Sequence, residues 1–337
     1  MVYVRVSGRV ELQVSGLSGL GAVGNYNQVA TAVVNKDGKI YEVPVLTGNA
    51  LKHWHAYYTA EAYVNMGGKH LNDLCKLGIG FRGYNVNTKI GGNFAWSKDE
   101  CEAVLDLCND LHGFLITQGG RSDKRDSLVK AAFVVPVLES NNLEAVSKFA
   151  VQHNRVVPDA VREKAGERQA MMPYKQEYAT GLYGFDVRMD LDYTLTPMFT
   201  DCKVNLPDLD SEKRLRMKAA VAALIPLLVG SGSKQARALP IVEVKEVVAV
   251  VSEKPIPNLV HGAYPGYCQK SLDILKAYLR AVGGKAQMYS YGTSCGGGQS
   301  GEVAVERVDS LEDLFNRLLS IVEGGQTSPG AGRQKGR

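Results

Sequence analysis

This chain of 337 residues lacks any long hydrophobic run. The longest, Ala219 to Val229, has eleven residues and contains Pro226, so it is too short to span a bilayer. No leader peptide is visible, because the N-terminus is already an amphipathic strand. A cytoplasmic protein without a membrane partner is therefore expected. The six cysteines, Cys75, Cys101, Cys108, Cys202, Cys268 and Cys295, never form CxxC, which argues against a zinc ribbon or a redox pair. Spacing leaves open whether Cys101 and Cys108 pair.

Other absences concern chemistry. No Walker A sequence, no paired carboxylates, no Ser-His-Asp order and no metal-ligand cluster stands out, so neither enzyme activity, nor a metal, nor a cofactor is expected. An excess of charge of one sign is lacking as well. The net charge is +4, and Arg333, Lys335 and Arg337 in the tail supply three of those positives, leaving the body near +1. Bulk charge therefore gives no argument for nucleic acid, and a local patch would have to carry one. Acid is missing between Glu11 and Asp37.

What is present begins with the first stretch. Val2, Val4, Val6, Val10, Leu12 and Val14 alternate with Tyr3, Arg5, Ser7, Arg9, Glu11 and Gln13. Period two predicts a strand with one face in a core and the other, bearing Tyr3, Arg5 and Arg9, in polar surroundings. The following GLSGLGAVGNYNQ holds four glycines and no charge, and reads as a loop of free backbone amides with Asn25 and Asn27. Such a strand and loop suit phosphate and sugar contacts.

Further along, Val29–Val34 and Ile40–Leu46 read as a hairpin about the NKDGK turn. Thr47 to Met66 is predicted as a helix, capped by Thr47 or Asn49 and closed by Gly67-Gly68. Lys69–Ser97 looks like an insertion, Lys98–Leu111 like a second helix, and Ser127–Leu138 like an apolar strand. Gln152–Glu177 has five basic and four acidic residues and two internal prolines, the pattern of a protruding arm. Tyr178–Leu191 returns to strand, Asp210–Leu228 to helix, Pro240–Val251 to strand, Gly266–Val282 to helix and Ala286–Tyr291 to strand. Asp309–Val322 is a helix with Asp309 and Glu312 as a capping box, and the residues after Gly324 form a disordered basic tail.

With insertions removed, the order is strand, helix, strand, strand, helix, strand. This is the split βαβ order of ferredoxin-like and RNA-recognition modules, which bind on an open sheet face. The fold class is α+β, and one domain over residues 1–323 is expected. Its insertions fall at about 67–126 and 139–177, with a tail at 324–337.

Several segments could carry contacts. Gly19 to Gly24 match GxGxxG, but a dinucleotide site needs a helix to start there, and the chain instead continues into Asn25-Tyr26-Asn27. A nucleotide-dependent cytoplasmic enzyme using this loop is the alternative to a backbone-binding loop or a plain flexible one. His53 and His55 are two apart and cannot share a metal within a helix. One of them is expected to be buried and hydrogen-bonded, and Asn49, Lys52 and the other histidine could reach a phosphate at the helix start; the resemblance described below names His53. His153, Asn154 and Arg155 open the arm. Its cations, Arg168 among them, either face solvent or lean on a nucleic-acid strand, with Met171 and Met172 as wedge residues. Arg121, Lys124 and Arg125 share one loop, and Lys234 and Arg237 another. Together with Arg5 and Arg9 these could line one groove.

Seven segments, taken in order, carry a resemblance. They are YVRVSGRVELQVSGL, VPVLTGNALKHWH, LHGFL, QHNRV, EYATGLYGF, ALIPLL with KQARALP, and LVHGAY. The pattern resembles the backbone subunit of archaeal type I-A CRISPR surveillance complexes, the DevR-like group. That resemblance implies a modified RNA-recognition fold with a crescent shape and a thumb-like arm. It implies copies that self-associate into a filament along the guide RNA, beside other subunits of the complex, with target DNA engaged by way of the guide. It places the glycine loop and the GNALKHWH segment on the guide-RNA groove, and QHNR on the thumb. Relatives in type III complexes cut RNA with an acid in the loop after the first strand. This chain has none there, which implies a backbone without nuclease activity.

Overall fold

The computed structural model describes residues 2–23, 26–153, 174–230, 239–296, 298 and 301–324. The opening alternation becomes β1 (Tyr3–Ser15), and it is the central strand of the protein. Antiparallel partners flank it on both sides, β11 (Tyr174–Met189) and β12 (Ile241–Ser252). Beyond β12 lie β13 (Ala286–Tyr291) and, parallel to it, β14 (Val303–Arg307). Beyond β11 lie β8 (Val129–Ala131) and β9 (Val135–Pro136), both antiparallel to it. Near its start β11 also pairs with β10 (Ser147–His153) and with β3 (Tyr26–Val29), whose hairpin partner is β2 (Gly19–Val23).

The central position of β1 overturns one expectation. Its apolar face, Val4, Val6 and Val10, packs in the larger core with α1 (Gly48–Asn65), α6 (Leu209–Ala222) and α9 (Leu311–Val322). The opposite face, expected to be open, is also covered. Tyr3 lies in a second core with Leu272 and Leu275 of α8 (Tyr267–Val282). Arg5 is fully buried, donates to the Ile256 carbonyl at 2.8 Å and pairs with Asp190 at 2.9 Å. The segment after β12 lies so close to β1 that a Cβ on Gly262 would come within 2.0 Å of the Gly8 carbonyl oxygen. Alternation finds the strand but cannot tell polar residues facing water from polar residues paired inside.

Most predicted elements appear, with sharper ends. The NKDG turn joins β4 (Thr31–Lys36) to β5 (Lys39–Pro44) as a hairpin. Thr47 caps α1 by accepting the Ala50 amide. The expected loop after β1 is instead the β2–β3 hairpin. The helix expected over 98–111 is two short ones, α3 (Glu100–Ala103) and α4 (Leu107–His112), because the Asp106 side chain accepts the Asn109 amide and restarts the helix. The insertion before them also holds the short α2 (Asp73–Lys76). The helix expected over 210–228 divides into α6 and α7 (Leu224–Leu228). The Ser310 hydroxyl, rather than Asp309, caps α9 by accepting the Asp313 amide at 3.0 Å. A short α5 (Ser140–Ala145) precedes β10, and β6 (Phe114–Ile116) pairs with β7 (Asp123–Arg125).

Cysteines pair as Cys75–Cys108, Cys101–Cys202 and Cys268–Cys295, so Cys101 and Cys108 have different partners. The first two bridges fasten the insertion between α1 and β8 to itself and to the stretch after β11. No helix among the described residues is long and apolar enough to cross a membrane.

Candidate nucleic-acid interface

Two stretches singled out in the sequence, the glycine turn after β1 and the start of α1, are joined by hydrogen bonds. The Thr47 amide donates to the Ser18 hydroxyl oxygen at 2.9 Å, and the two hydroxyls lie 3.3 Å apart. The Ala30 amide donates to the Ser18 carbonyl at 2.7 Å. Ser18 therefore locks the turn, the β3–β4 connection and the helix cap into one unit. α1 is also held from its other side. A Cβ on Gly48 would sit 2.2 Å from the Ala131 carbonyl oxygen, so only glycine lets the helix start so close to β8.

From this start α1 carries Asn49, exposed, then Lys52 and His53, both partly exposed. Lys52 has no acidic partner among the described residues. Burial lowers the pKa of its ammonium, and the positive charges of Arg82 and Lys130 lower it further. Burial and Arg82 also lower His53. Arg82 is itself pushed down to about 10 by burial, with Asp106 opposing, and donates to the Cys108 carbonyl at 3.0 Å. The result is a cluster of like charge beside a helix N-terminus whose first amides favour anions. A cluster held together against its own repulsion is suited to a phosphate chain. Sequence reading missed Arg82 and Lys130. Lys130 lay inside an apolar strand whose alternation (Val129 buried, Lys130 exposed) was the available signal.

Deeper in, two buried histidines support the helix. His55 Nδ1 lies 2.9 Å from His112 Nε2, and His55 Nε2 lies 2.9 Å from the Ala220 carbonyl oxygen. Burial lowers His55 to about 4 and pushes His112 well down, so the pair is neutral. His55 thus joins α1 to α4 and α6. No group of three or more metal-binding side chains exists among the described residues.

The remaining predicted contacts are scattered. Asn27 sits in β3 beside Gln176 of β11. Arg9 is on the covered face of β1, donating to the Gly262 carbonyl at 2.9 Å and pairing with Glu139 at 3.3 Å and Glu246 at 3.7 Å. Arg125 is buried, pairing with Asp110 at 2.8 Å and Glu100 at 3.2 Å. Arg216 takes the other Asp110 oxygen at 2.9 Å, so these four residues tie the insertion to α6. The charge of Arg125 is thus used inside the fold, while Arg9 stays partly exposed beside its two acids. Arg121 pairs with Asp123 and donates to the Ser97 carbonyl, while Lys124 is exposed and lies over the Phe199 ring at 5.1 Å. His153 ends β10, stacked on Tyr174 at 4.9 Å. Asn25, Asn154, Arg155, Arg168, Lys234 and Arg237, with Met171 and Met172, lie outside the described residues. The structure therefore joins the helix start that bears Asn49, Lys52 and His53 to the turn.

The GxGxxG match meets a different fate from the dinucleotide pattern. Gly19 to Val23 form a strand that turns back as a hairpin, and no helix opens there.

Residues 6–272 match the family model described as CRISPR-associated negative auto-regulator DevR/Csa2. A protein of Thermoproteus tenax named CRISPR-associated protein Cas7/Cst2/DevR is 50% identical over 331 residues, covering 96% of this chain and 97% of the relative. A protein of the same name from Methanocaldococcus jannaschii is 33% identical over 333 residues, covering 94% and 99%. Among solved structures, a chain of a CRISPR RNA-guided surveillance complex in a pre-nicking state shares the fold. Its TM-score is 0.50 at 13% identity, covering 95% of this chain and 100% of that one.

Proposed function

The chain belongs to the DevR/Csa2 family of CRISPR-associated proteins, and on that premise we propose that it is the guide-RNA-binding backbone subunit of a type I-A surveillance complex. In this reading copies stack along the guide, pair with other subunits of the complex, and support pairing of the guide to target DNA. The protein performs no chemistry itself, in keeping with the lack of an acid between Glu11 and Asp37. The observation that carries the proposal is the unit built on Ser18 and Thr47, which joins a backbone turn to the helix start that bears Asn49, Lys52 and His53.

The physics of the task supports this. A subunit that accepts any guide must hold phosphate and ribose and ignore base edges. Modest charge then leaves affinity to cooperative stacking along the strand. The fold we propose is a modified RNA-recognition core. Strands β12, β1, β11 and β8 lie side by side, all antiparallel, with α1 and α6 together on one face. The β10–β11 pair forms the base of the thumb-like arm. The test is a binding titration of purified protein with guide-length RNA at rising salt. Affinity should fall linearly on a logarithmic scale, and the absence of any salt-sensitive binding rejects the proposal.

A further inference from the structure

Three bridges hold all six cysteines, and the proposed function uses none of them. Their pairing is interleaved. Cys101 lies between Cys75 and Cys108 in the chain, yet it pairs with Cys202 rather than with the nearby Cys108. Partners are therefore chosen by the fold, which brings α2 to α4 and α3 to the stretch after β11. Cys75 and Cys108 also belong to the larger apolar core, where a reduced cysteine packs as a small hydrophobe. The same fold thus accommodates this pair as a bridge or as two thiols.

Its surroundings set the Cys75–Cys108 pair apart. Both residues line a small cavity with His53 of α1 and with Arg82, and Arg82 Nη1 donates to the Cys108 carbonyl at 3.0 Å. A guanidinium and an imidazole nearby favour the thiolate, the form that takes part in disulfide exchange. The chain after α2 is pressed onto α1: a Cβ on Gly78 would lie 2.6 Å from the Tyr57 ring. The starts of α2 and α4 are joined without the bridge, because Asp106 accepts the Asn72 and Asn109 amides and Asn72 accepts the Cys75 amide. Past that joint the turn is held by the amides of Leu77, Gly78 and Ile79, bonded to the Asp73, Cys75 and Leu74 carbonyls at 3.0, 3.1 and 2.8 Å. The bridge ties this turn covalently to α4.

We propose that the Cys75–Cys108 bridge is a redox-set lock that fixes Arg82 beside His53, and so, resting on the guide-RNA reading, tunes the hold of α1 on phosphate. Both cysteines are buried, so the reductant that fits is a small dithiol rather than a folded protein. One thiolate of the dithiol attacks a bridge sulfur, the S–S bond breaks, and a mixed disulfide forms with release of the other cysteine. The second thiol of the dithiol then displaces the first cysteine. The dithiol ends as a disulfide, having given two electrons and two protons, and Cys75 and Cys108 end as thiols. The turn over Leu77, Gly78 and Ile79 loosens, Arg82 loses its fixed place, and one phosphate contact goes. A small disulfide oxidant reverses the exchange.

The test uses the full chain, oxidised or treated with dithiothreitol, with alkylation and mass mapping to show which bridges are open. A double variant, Cys268→Ser with Cys295→Ser, removes a different bridge and serves as control. With Cys75–Cys108 open, amide hydrogen exchange at Leu77, Gly78 and Ile79 should rise at least about tenfold. The logarithmic salt slope of RNA binding should fall by about 0.7, one phosphate contact. The oxidised control variant should match the native protein in both. An open bridge with native exchange or native slope overturns the proposal, as does the same pair of changes in the control. Free thiols at Cys75 and Cys108 in protein purified without reductant overturn it too. Raised exchange in a protein that binds no RNA in either state overturns the guide-RNA reading and leaves the lock standing. Should dithiothreitol leave this bridge closed or open all three together, Cys75→Ala with Cys108→Ala decides by the same two readouts. Failure of that variant to fold overturns the claim that the fold accommodates the pair unbridged.

Discussion

The carboxylate of Glu177 accepts the amide of Val29 at 2.8 Å, across 148 residues of chain, and its other oxygen takes the Tyr26 hydroxyl. One side chain in the middle of the β10–β11 ladder thus holds the β2–β3 hairpin against β11. Burial works to raise the Glu177 pKa, but hydrogen bonds from Tyr26 and Val29 and the charge of Lys148 outweigh it and hold the group below its ordinary value. In Glu177→Ala the buried Val29 donor loses its partner, at a cost of about 1–3 kcal/mol. Glu177→Gln keeps an acceptor and should lose less. Thermal melts of the two variants check this order, and equal melting temperatures for E177A and the native protein contradict it.

Arg125 and Lys124 are neighbours with opposite expected behaviour. Arg125 pairs with Asp110 and Glu100 in the interior, whereas Lys124 is exposed. Removing one member of a buried ion network strands its partners, so Arg125→Met should lower stability by about 3–5 kcal/mol. Lys124→Ala should stay within about 0.5 kcal/mol. Denaturant titration measures both.

The His55–His112 pair makes stability depend on pH. Burial holds His55 at about 4, below its ordinary 6.5, and lowers His112 as well. The unfolded chain takes up protons first as pH falls. The stability from this pair is therefore complete above about 6.5 and is lost as pH falls from there toward 4. Asp186 and Asp106, raised by burial to about 7 and about 6, act with the opposite sign, so the whole-protein curve mixes the two. The difference between native protein and His112→Gln isolates the histidine. That gap should narrow as pH drops from neutral to about 5. A gap that does not change with pH contradicts the assignment.

Much of this was legible in the chain. The Thr47 cap and the paired glycines after Met66 marked α1 within a residue of its observed ends, and the NKDG turn marked its hairpin. The site was legible only in part. Asn49, Lys52 and His53 follow the cap directly, so local sequence placed them together. Arg82 and Lys130 join them through tertiary packing, which no local pattern encodes. The polar face of β1 misled for a related reason: Arg5 alternates like a surface residue, yet Asp190 and the Ile256 carbonyl satisfy it inside. Backbone hydrogen bonding also escaped the reading of the glycine stretch, where the pairing of Gly19 with Val29 makes a strand of an expected loop.

The central claim is that the start of α1 and its cations hold the phosphates of an RNA strand. The most direct test compares the salt dependence of RNA binding for native protein with that of Lys52→Ala, Lys130→Ala and the double variant. Each lost phosphate contact should reduce the logarithmic slope by about 0.7, with affinity falling alike on all RNA sequences. Native slope and native affinity in the double variant would contradict the account.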